Sequence, residues 1–276
     1  MTDQAGERLA TGGASSVLFT AGTAGLVAGL AALTRPVLLL FLGCATIWLA
    51  LRPSRRAAVA FVIGASLVIA PWTIRNAYEY RRIVPIAPQG GVNFWIGNHP
   101  FARGDGDLAA NAPLKAADLD LRQRYPGLNA AELDTIYFAE AFEHVAAHPL
   151  WWVGLEARKF FYQWVPIGPS YRLHSARYYA ASAASYVLIL PLAIAGLVTL
   201  ARHHRLPAAL LVLAGSEVIA GLIFFPQERY RIPVIDPTLV IFAATWIWLR
   251  IGEHGGAARA GALNREPGAS GYCVAG

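Results

Sequence analysis

Six apolar runs, each close to the length needed to cross a lipid bilayer, constrain this chain more than any other feature. A helix needs roughly 20 mostly apolar residues to span the hydrocarbon core, with a usual range of about 17–25. Hydrophobic residues make up 56% of the chain and charged residues 14%, a balance typical of membrane proteins. We therefore predict an all-α polytopic membrane protein. Its spans are expected at about 15–34, 36–51, 57–74, 179–200, 207–225 and 234–249.

The basic residues of the short connections predict the orientation of these spans. Lysine and arginine favour cytoplasmic connections, and they recur in RPSRR (52–56), in ARHHR (201–205) and after the last span. Both termini are then cytoplasmic. The turn at 34–36, the long segment 76–178 and QERYR (227–231) lie on the extracytoplasmic face of the cytoplasmic (inner) membrane.

This topology divides the chain into five parts. We expect a cytoplasmic leader (1–14), three transmembrane helices (15–75), an extracytoplasmic segment with interfacial helices (76–178), three further transmembrane helices (179–250) and a disordered cytoplasmic tail (251–276). The arginines lie at the ends of apolar runs rather than in a basic stripe, which argues against nucleic-acid binding. The two cysteines offer neither a disulfide framework nor metal-ligand spacing.

The outer segment has helix and loop patterns of its own. Residues 84–100, VPIAPQGGVNFWIGNHP, contain a glycine pair and three prolines and predict a loop. A capping pattern at Asn129 predicts a helix over 129–147. Pro149 suits the first turn of a second helix, 148–164, whose many aromatic residues indicate a position at the level of the lipid headgroups.

The polar and amphipathic side chains of the 84–100 loop are Asn93, Trp95, Asn98 and His99. Two interpretations stay open for them. They either hold an ordered turn through asparagine side-chain hydrogen bonds, or they contact a ligand.

Arginines at the outer membrane edge carry information because the positive-inside bias disfavours them there. The guanidinium fork binds phosphate in a bidentate manner. If side chains from different spans converge, they form a pocket for the phosphate of a lipid. Otherwise Glu228 pairs with one arginine and the others face water. The arginines concerned are Arg35, Arg75, Arg229 and Arg231, with Arg81 and Arg82 close behind Arg75.

Two further charged residues are candidates for function. Lys159, on the aromatic helix, either contacts lipid phosphate or extends along apolar surface to reach water. Glu217 lies near the middle of the fifth span, where an ionisable group is functional or firmly partnered. The sequence identifies no partner for Glu217, so this carboxyl is either neutral or paired with helices that the chain does not contain. His144 and His148 lack a supporting carboxylate pattern, so no metal site is predicted.

Four stretches in this order resemble the second half of bacterial GT-C-fold glycosyltransferases, the relatives of protein O-mannosyltransferases and of the lipid A aminoarabinose transferase. The resemblance covers about residues 15–250. The stretches are GLAALTRPVLLL (29–40), APWTIRNAYEYRRIVPIAPQGGVNFWIGNHP (70–100), AFEHVAAHPLWWVGLEARKFFYQW (141–164) and ERYRIPVIDP (228–237).

The resemblance implies transfer of a sugar from a polyprenyl-phosphate donor to an acceptor on the extracytoplasmic face. The lipid phosphate is the leaving group, so cations at the membrane edge would stabilise the charge that develops on it. Donor-phosphate contacts would come from Arg229, Tyr230, Arg231, Arg35, Arg75 and Lys159. The sugar and the acceptor would be covered by Asn93, Trp95, Asn98 and His99.

The chain departs from this family at the catalytic carboxylate, which lies in an outer loop after the family's first span and has no counterpart here. No catalytic residue is therefore identified, and Asp105, Asp107 and Glu217 are not assigned that role. We expect a C-terminal portion of such an enzyme, from a truncated, mis-started or split gene, which need not be active alone. A further polypeptide would then supply the missing spans.

Two alternatives from other classes stay open, a non-catalytic membrane partner subunit and a component of a lipid or solute transporter. No cofactor is predicted, and no residue pattern supports a divalent cation. The expected partners are the polyprenyl-phosphate-sugar donor and membrane lipids.

Overall fold

The computed structural model describes the backbone of residues 3–52, 55–165 and 175–263, and the side chains of 15–52, 55–165, 175–227 and 230–251. The described chain is helical, without strands. Its helices are α1 (Asp3–Thr34), α2 (Leu38–Ala50), α3 (Arg55–Tyr80), α4 (Gly90–Asn98), α5 (Ala112–Arg124), α6 (Ala130–Ala147), α7 (Pro149–Trp164), α8 (Ala176–Arg202), α9 (Ala208–Ile223), α10 (Glu228–Arg231) and α11 (Ile235–Leu263).

Three helical segments of the described chain are long and apolar enough to cross a membrane. They are Ser15–Thr34 within α1, then α3 and α8. The predicted second and fifth spans are the apolar helices α2 and α9, which have 13 and 16 residues. Both are shorter than the usual minimum of about 17. The prediction of an all-helical membrane protein is thus confirmed at the level of three span-length helices.

The chain divides into two compact units. The first comprises residues 1–186 and 207–236, and the second comprises residues 187–206 and 237–276. In the second unit, α8 and α11 pack closely, because a Cβ at Gly196 would lie only 2.0 Å from the Phe242 carbonyl oxygen. The features described below belong to the first unit.

Small residues bring α1 and α3 together in the first unit. A Cβ at Gly25 would lie 2.1 Å from the Phe61 carbonyl oxygen, and one at Gly64 would lie 2.2 Å from the Gly22 carbonyl oxygen. Glycines of this kind let membrane helices pack backbone to backbone. The contacts advance in the same direction along both helices, so α1 and α3 pack in parallel.

The third span ends later than predicted, because α3 continues through Pro71 to Tyr80. Beyond Pro71, Trp72 Nε1 donates to the Ile86 carbonyl oxygen, and Asn76 Nδ2 donates to those of Val84 and Ile86. The last turns of α3 therefore hold the segment that leads into α4.

The predicted loop at 84–100 is wrong from Gly90 onward, where the chain forms α4. Its glycines serve close packing instead of turns. A Cβ at Gly91 would lie 1.9 Å from the Asp134 carbonyl oxygen, and one at Gly97 would lie 1.7 Å from the Phe224 carbonyl oxygen. The fold thus needs these glycines in order to pack α4 between α6 and the segment after α9.

The predictions for α6 and α7 are confirmed. Asn129 caps α6 in a reciprocal capping box with Glu132, and Pro149 occupies the first turn of α7. The helix α5 was not predicted. It begins after Asn111, whose side chain accepts a hydrogen bond from the Leu114 amide, and its Leu114 and Leu121 join the core formed with α4 and α6.

The tail also differs from its prediction in part. The helix α11 continues to Leu263, past the start of the predicted disorder at residue 251. Residues 264–276 lie outside the described chain, as do residues 166–174 at the end of the predicted outer segment.

Candidate functional site

A cavity of about 910 Å³ lies within the first unit. The α1–α2 turn, α2, α4, α7 and α9 all contribute to its wall, together with Asp105, the stretch Phe224–Gln227, Tyr230, Arg231 and Ile235. Short turns that are far apart in sequence therefore meet at one site. The polar and charged side chains on the wall are Thr34, Arg35, Gln89, Asn93, Asp105, Tyr162, Gln163, Glu217, Gln227, Tyr230 and Arg231.

The structure brings together Arg35, Tyr230 and Arg231, three of the predicted phosphate contacts. The Arg35 guanidinium lies 5.7 Å from the centroid of the Tyr230 ring. This geometry allows a cation–π interaction. All three residues line the cavity, so the convergence that the sequence left open occurs for two turns, the one at Arg35 and the one at Tyr230–Arg231.

Arg231 is almost fully buried and firmly held. Its Nε lies 3.1 Å from Asp236 Oδ1, and its guanidinium lies 4.0 Å from the centroid of the Tyr186 ring. One terminal nitrogen donates to the Gln163 carbonyl oxygen over 3.3 Å. A guanidinium carries five N–H donors, so this clamp leaves donors for a ligand and fixes the direction in which they point.

Two carboxylates, Asp105 and Glu217, line the same cavity and are buried. Arg35 is the charged group that acts electrostatically on Glu217. A cation of this chain therefore lines the same cavity as Glu217.

The rest of the wall is apolar. Leu39 and Leu40 of α2 face the cavity, as do Ala220 and Ile223 of α9 and the pair Phe224–Phe225. Two arginines on a wall with such a surface provide one region for an anionic group and another for hydrocarbon.

Other predicted cations do not join this site. Arg75 is exposed, with its guanidinium 5.4 Å from the Trp72 ring centroid and a hydrogen bond to Asn76 Oδ1. Arg82 is exposed and donates to Thr135 Oγ1. The side chain of Arg229 lies outside the described residues.

Lys159 is not a surface cation, so the expected contact with lipid headgroups is wrong. Its ammonium is fully buried and donates to Glu156 Oε1 over 2.6 Å, to Asn98 Oδ1 over 3.0 Å and to the Leu222 carbonyl oxygen over 2.8 Å. Burial lowers the pKa of Lys159, while Glu156 acts in the opposite direction. Lys159 and Gln163 of α7 both donate to carbonyl oxygens of α9, so Lys159 is not one of the phosphate contacts.

Among the four candidates of the 84–100 segment, only Asn93 lines the cavity. Asn98 is buried and holds structure, because its Nδ2 donates to the Phe94 and Ile223 carbonyl oxygens and its Oδ1 accepts from Trp152 and Lys159. Of the two interpretations given for this segment, the one in which asparagine side chains hold the local structure through hydrogen bonds therefore applies to Asn98.

Trp95 and His99 do not line the cavity. Trp95 is part of the core formed by α4, α5 and α6, and His99 packs against it. Trp95 is buried and donates through Nε1 to Glu140 Oε2. The His99 ring packs against Trp95 with centroids 4.2 Å apart and the two planes tilted by 49°. Burial lowers the pKa of His99 to about 4, with Glu140 acting in the opposite direction and His144 in the same direction.

Sequence reasoning missed two polar residues of the cavity, Gln163 and Asp105. Asp107 Oδ1 accepts a hydrogen bond from the Ala109 amide and holds a local turn, whereas Asp105 lines the cavity. Within the described residues, no group of three or more His, Cys, Asp or Glu side chains could hold a metal ion.

No family model matches the chain, and neither a curated protein nor a solved structure is similar enough to it to count as a match.

Proposed function

We propose that this chain is part of a GT-C-type membrane glycosyltransferase and that its cavity binds a polyprenyl-phosphate-linked sugar. The sugar would pass to an acceptor on the extracytoplasmic face of the cytoplasmic membrane. In this proposal α2 and α9 are short spans that stand nearly upright, and α11 supplies the sixth span.

The observation that carries the proposal is the meeting of Arg35 and Arg231 on one cavity wall. They come from turns at opposite ends of the sequence, and both turns are predicted on the extracytoplasmic face. The lipid phosphate would lie between the two guanidinium groups, where charge-assisted and bidentate hydrogen bonds are strongest. The isoprenoid chain would follow the apolar wall of α2 and α9.

The same geometry suits the chemistry of the transfer. When the bond between the sugar and the lipid phosphate breaks, negative charge develops on the phosphate. Arg231 is clamped by Asp236, Tyr186 and the Gln163 carbonyl oxygen, so it can stabilise that charge without reorganising. The group that would activate the acceptor is not assigned to any residue of this chain.

Arg35→Gln tests the proposal with a matched control. We expect the variant in nanodiscs to bind decaprenyl phosphate about tenfold more weakly or worse, since hydrogen bonds to charged groups are worth about 1.5–3 kcal/mol. Arg75→Gln removes an arginine that does not line the cavity and should leave the affinity unchanged. Microscale thermophoresis gives the dissociation constants.

Arg35 and Glu217 line the same cavity with opposite formal charges, so the double variant Arg35→Gln/Glu217→Gln serves as a control that removes both charges. It should bind the lipid phosphate as weakly as the single variant. Equal affinities for wild type, Arg35→Gln and Arg75→Gln would refute the phosphate site.

A further inference from the structure

The side chain of Gln163 is a buried amide on the cavity wall with one end unused. Gln163 is 5% exposed and lines the cavity. Its Nε2 donates to the Glu217 carbonyl oxygen over 3.5 Å. Within the described part of the chain, its Oε1 has no hydrogen-bond partner. A buried polar atom without a partner is costly, which indicates that something else supplies the donor.

The orientation of this amide follows from its neighbour. Exchanging the nitrogen and the oxygen would set the amide oxygen against the Glu217 carbonyl oxygen, and two acceptors repel each other. The nitrogen therefore belongs next to Glu217, and the oxygen is the end left for a ligand. A ligand that meets this end has to donate a hydrogen bond.

The neighbouring helix makes room for the amide. A Cβ at Gly221 of α9 would lie 3.0 Å from both Nε2 and Oε1 of Gln163. These contacts are tighter than ordinary van der Waals separations, so a larger residue would displace the amide group. Gly221 itself also lines the cavity.

Other acceptors on the wall point to the same kind of ligand. Ionised Asp105 and Glu217 would act only as acceptors, and both line the cavity with Gln163. The phosphate of a lipid–phosphate–sugar diester carries no donor, whereas a sugar carries several hydroxyl donors. The cavity thus combines cations for a phosphate with acceptors for a hydroxyl-bearing group.

We propose that Gln163 is a specificity-determining residue whose Oε1 accepts a hydrogen bond from a hydroxyl of the sugar, so that the cavity prefers a sugar-bearing lipid phosphate over the bare one. This inference rests on the proposed function and adds the group that recognises the sugar.

The test compares two kinds of probe on the full chain in nanodiscs. One is decaprenyl phosphate, and the others are decaprenyl phosphates that carry glucose, mannose or aminoarabinose. Wild type should bind at least one sugar-bearing probe more tightly than the bare lipid phosphate. Gln163→Met, which keeps the length of the side chain but removes the amide, should lose this preference by about five- to tenfold, as expected for one hydrogen bond. Its affinity for decaprenyl phosphate should not change.

A second variant, on α9, tests the position of the Gln163 amide group. Gly221→Ala should displace the Gln163 amide and give the same loss of preference. Gly215→Ala is the matched control, because a Cβ at Gly215 would meet nothing within 4 Å. Melting temperatures of all variants establish that each is folded.

The outcomes separate this inference from the proposed function. If wild type binds decaprenyl phosphate but prefers none of the sugar-bearing probes, the inference is overturned while the phosphate site stands. The same holds if Gln163→Met and Gly221→Ala both keep the wild-type preference. If wild type binds no probe, the proposed function fails, and the inference fails with it.

Discussion

Lys159→Met should lower the stability of the protein by about 3–5 kcal/mol, the usual cost of removing one partner from a buried ion pair. The substitution keeps the aliphatic chain but leaves Glu156, Asn98 Oδ1 and the Leu222 carbonyl oxygen without their common donor. Because these acceptors belong to α7, α4 and the end of α9, the loss also weakens the contact of α4 and α7 with α9. In detergent, the melting temperature should fall by about 10 °C.

Two control variants test whether the loss of stability comes from removing the buried ammonium of Lys159. Arg158→Met changes the neighbouring cation on the same helix, but Arg158 is exposed, so its melting temperature should stay within about 2 °C of wild type. The double variant Lys159→Met/Glu156→Leu removes both charges and should recover part of the loss. A drop for Lys159→Met no larger than that for Arg158→Met would show that the buried pair is not structural.

Gly97→Ala should lower the stability of the protein by a similar amount, although it adds only a single methyl group. The added Cβ would lie 1.7 Å from the Phe224 carbonyl oxygen, a backbone atom that cannot rotate away. Either α4 or the segment after α9 has to move, at a cost of about 3 kcal/mol. Phe224 lines the cavity, so the affinity for decaprenyl phosphate should fall together with the melting temperature.

Gly154→Ala is the matched control for Gly97→Ala. Gly154 lies inside α7, and a Cβ there would meet nothing within 4 Å. Alanine has a higher helix propensity than glycine by about 1 kcal/mol, so this variant should be as stable as wild type or more stable. If both alanine variants melt at the wild-type temperature, α4 does not approach the segment after α9 as closely as described.

Local sequence patterns predicted the helix termini and the long apolar helices, because these depend on residues that are close together in sequence. The capping box of Asn129 and Glu132 and the proline at the start of α7 specify helix termini within a few residues, and the apolar runs specify the long membrane helices. The prediction of a loop failed within 84–100 because glycine occurs both in turns and where two backbones pack closely together. In isolation Gly90–Gly91 indicates a turn, whereas here Gly91 allows contact with the backbone of Asp134, which lies far away in sequence.

The site was predictable only in part, for a similar reason. Arginine in a short outer turn is unusual by itself, so Arg35 and Arg231 could be selected from the sequence. The burial of Lys159 could not be predicted, because it depends on acceptors from α4 and α9 that only the fold brings together. Gln163 gave no local signal, since its unused oxygen is recognisable only once its neighbours are known.

The most direct measurement is a structure of the protein in nanodiscs with decaprenyl phosphate, determined by electron cryo-microscopy. The account predicts phosphate density in the cavity with oxygens about 2.7–2.9 Å from the guanidinium nitrogens of Arg35 and Arg231, and isoprenoid density along Leu39 and Leu40. Phosphate density at another site, with the cavity empty at a lipid concentration that saturates binding, would contradict it.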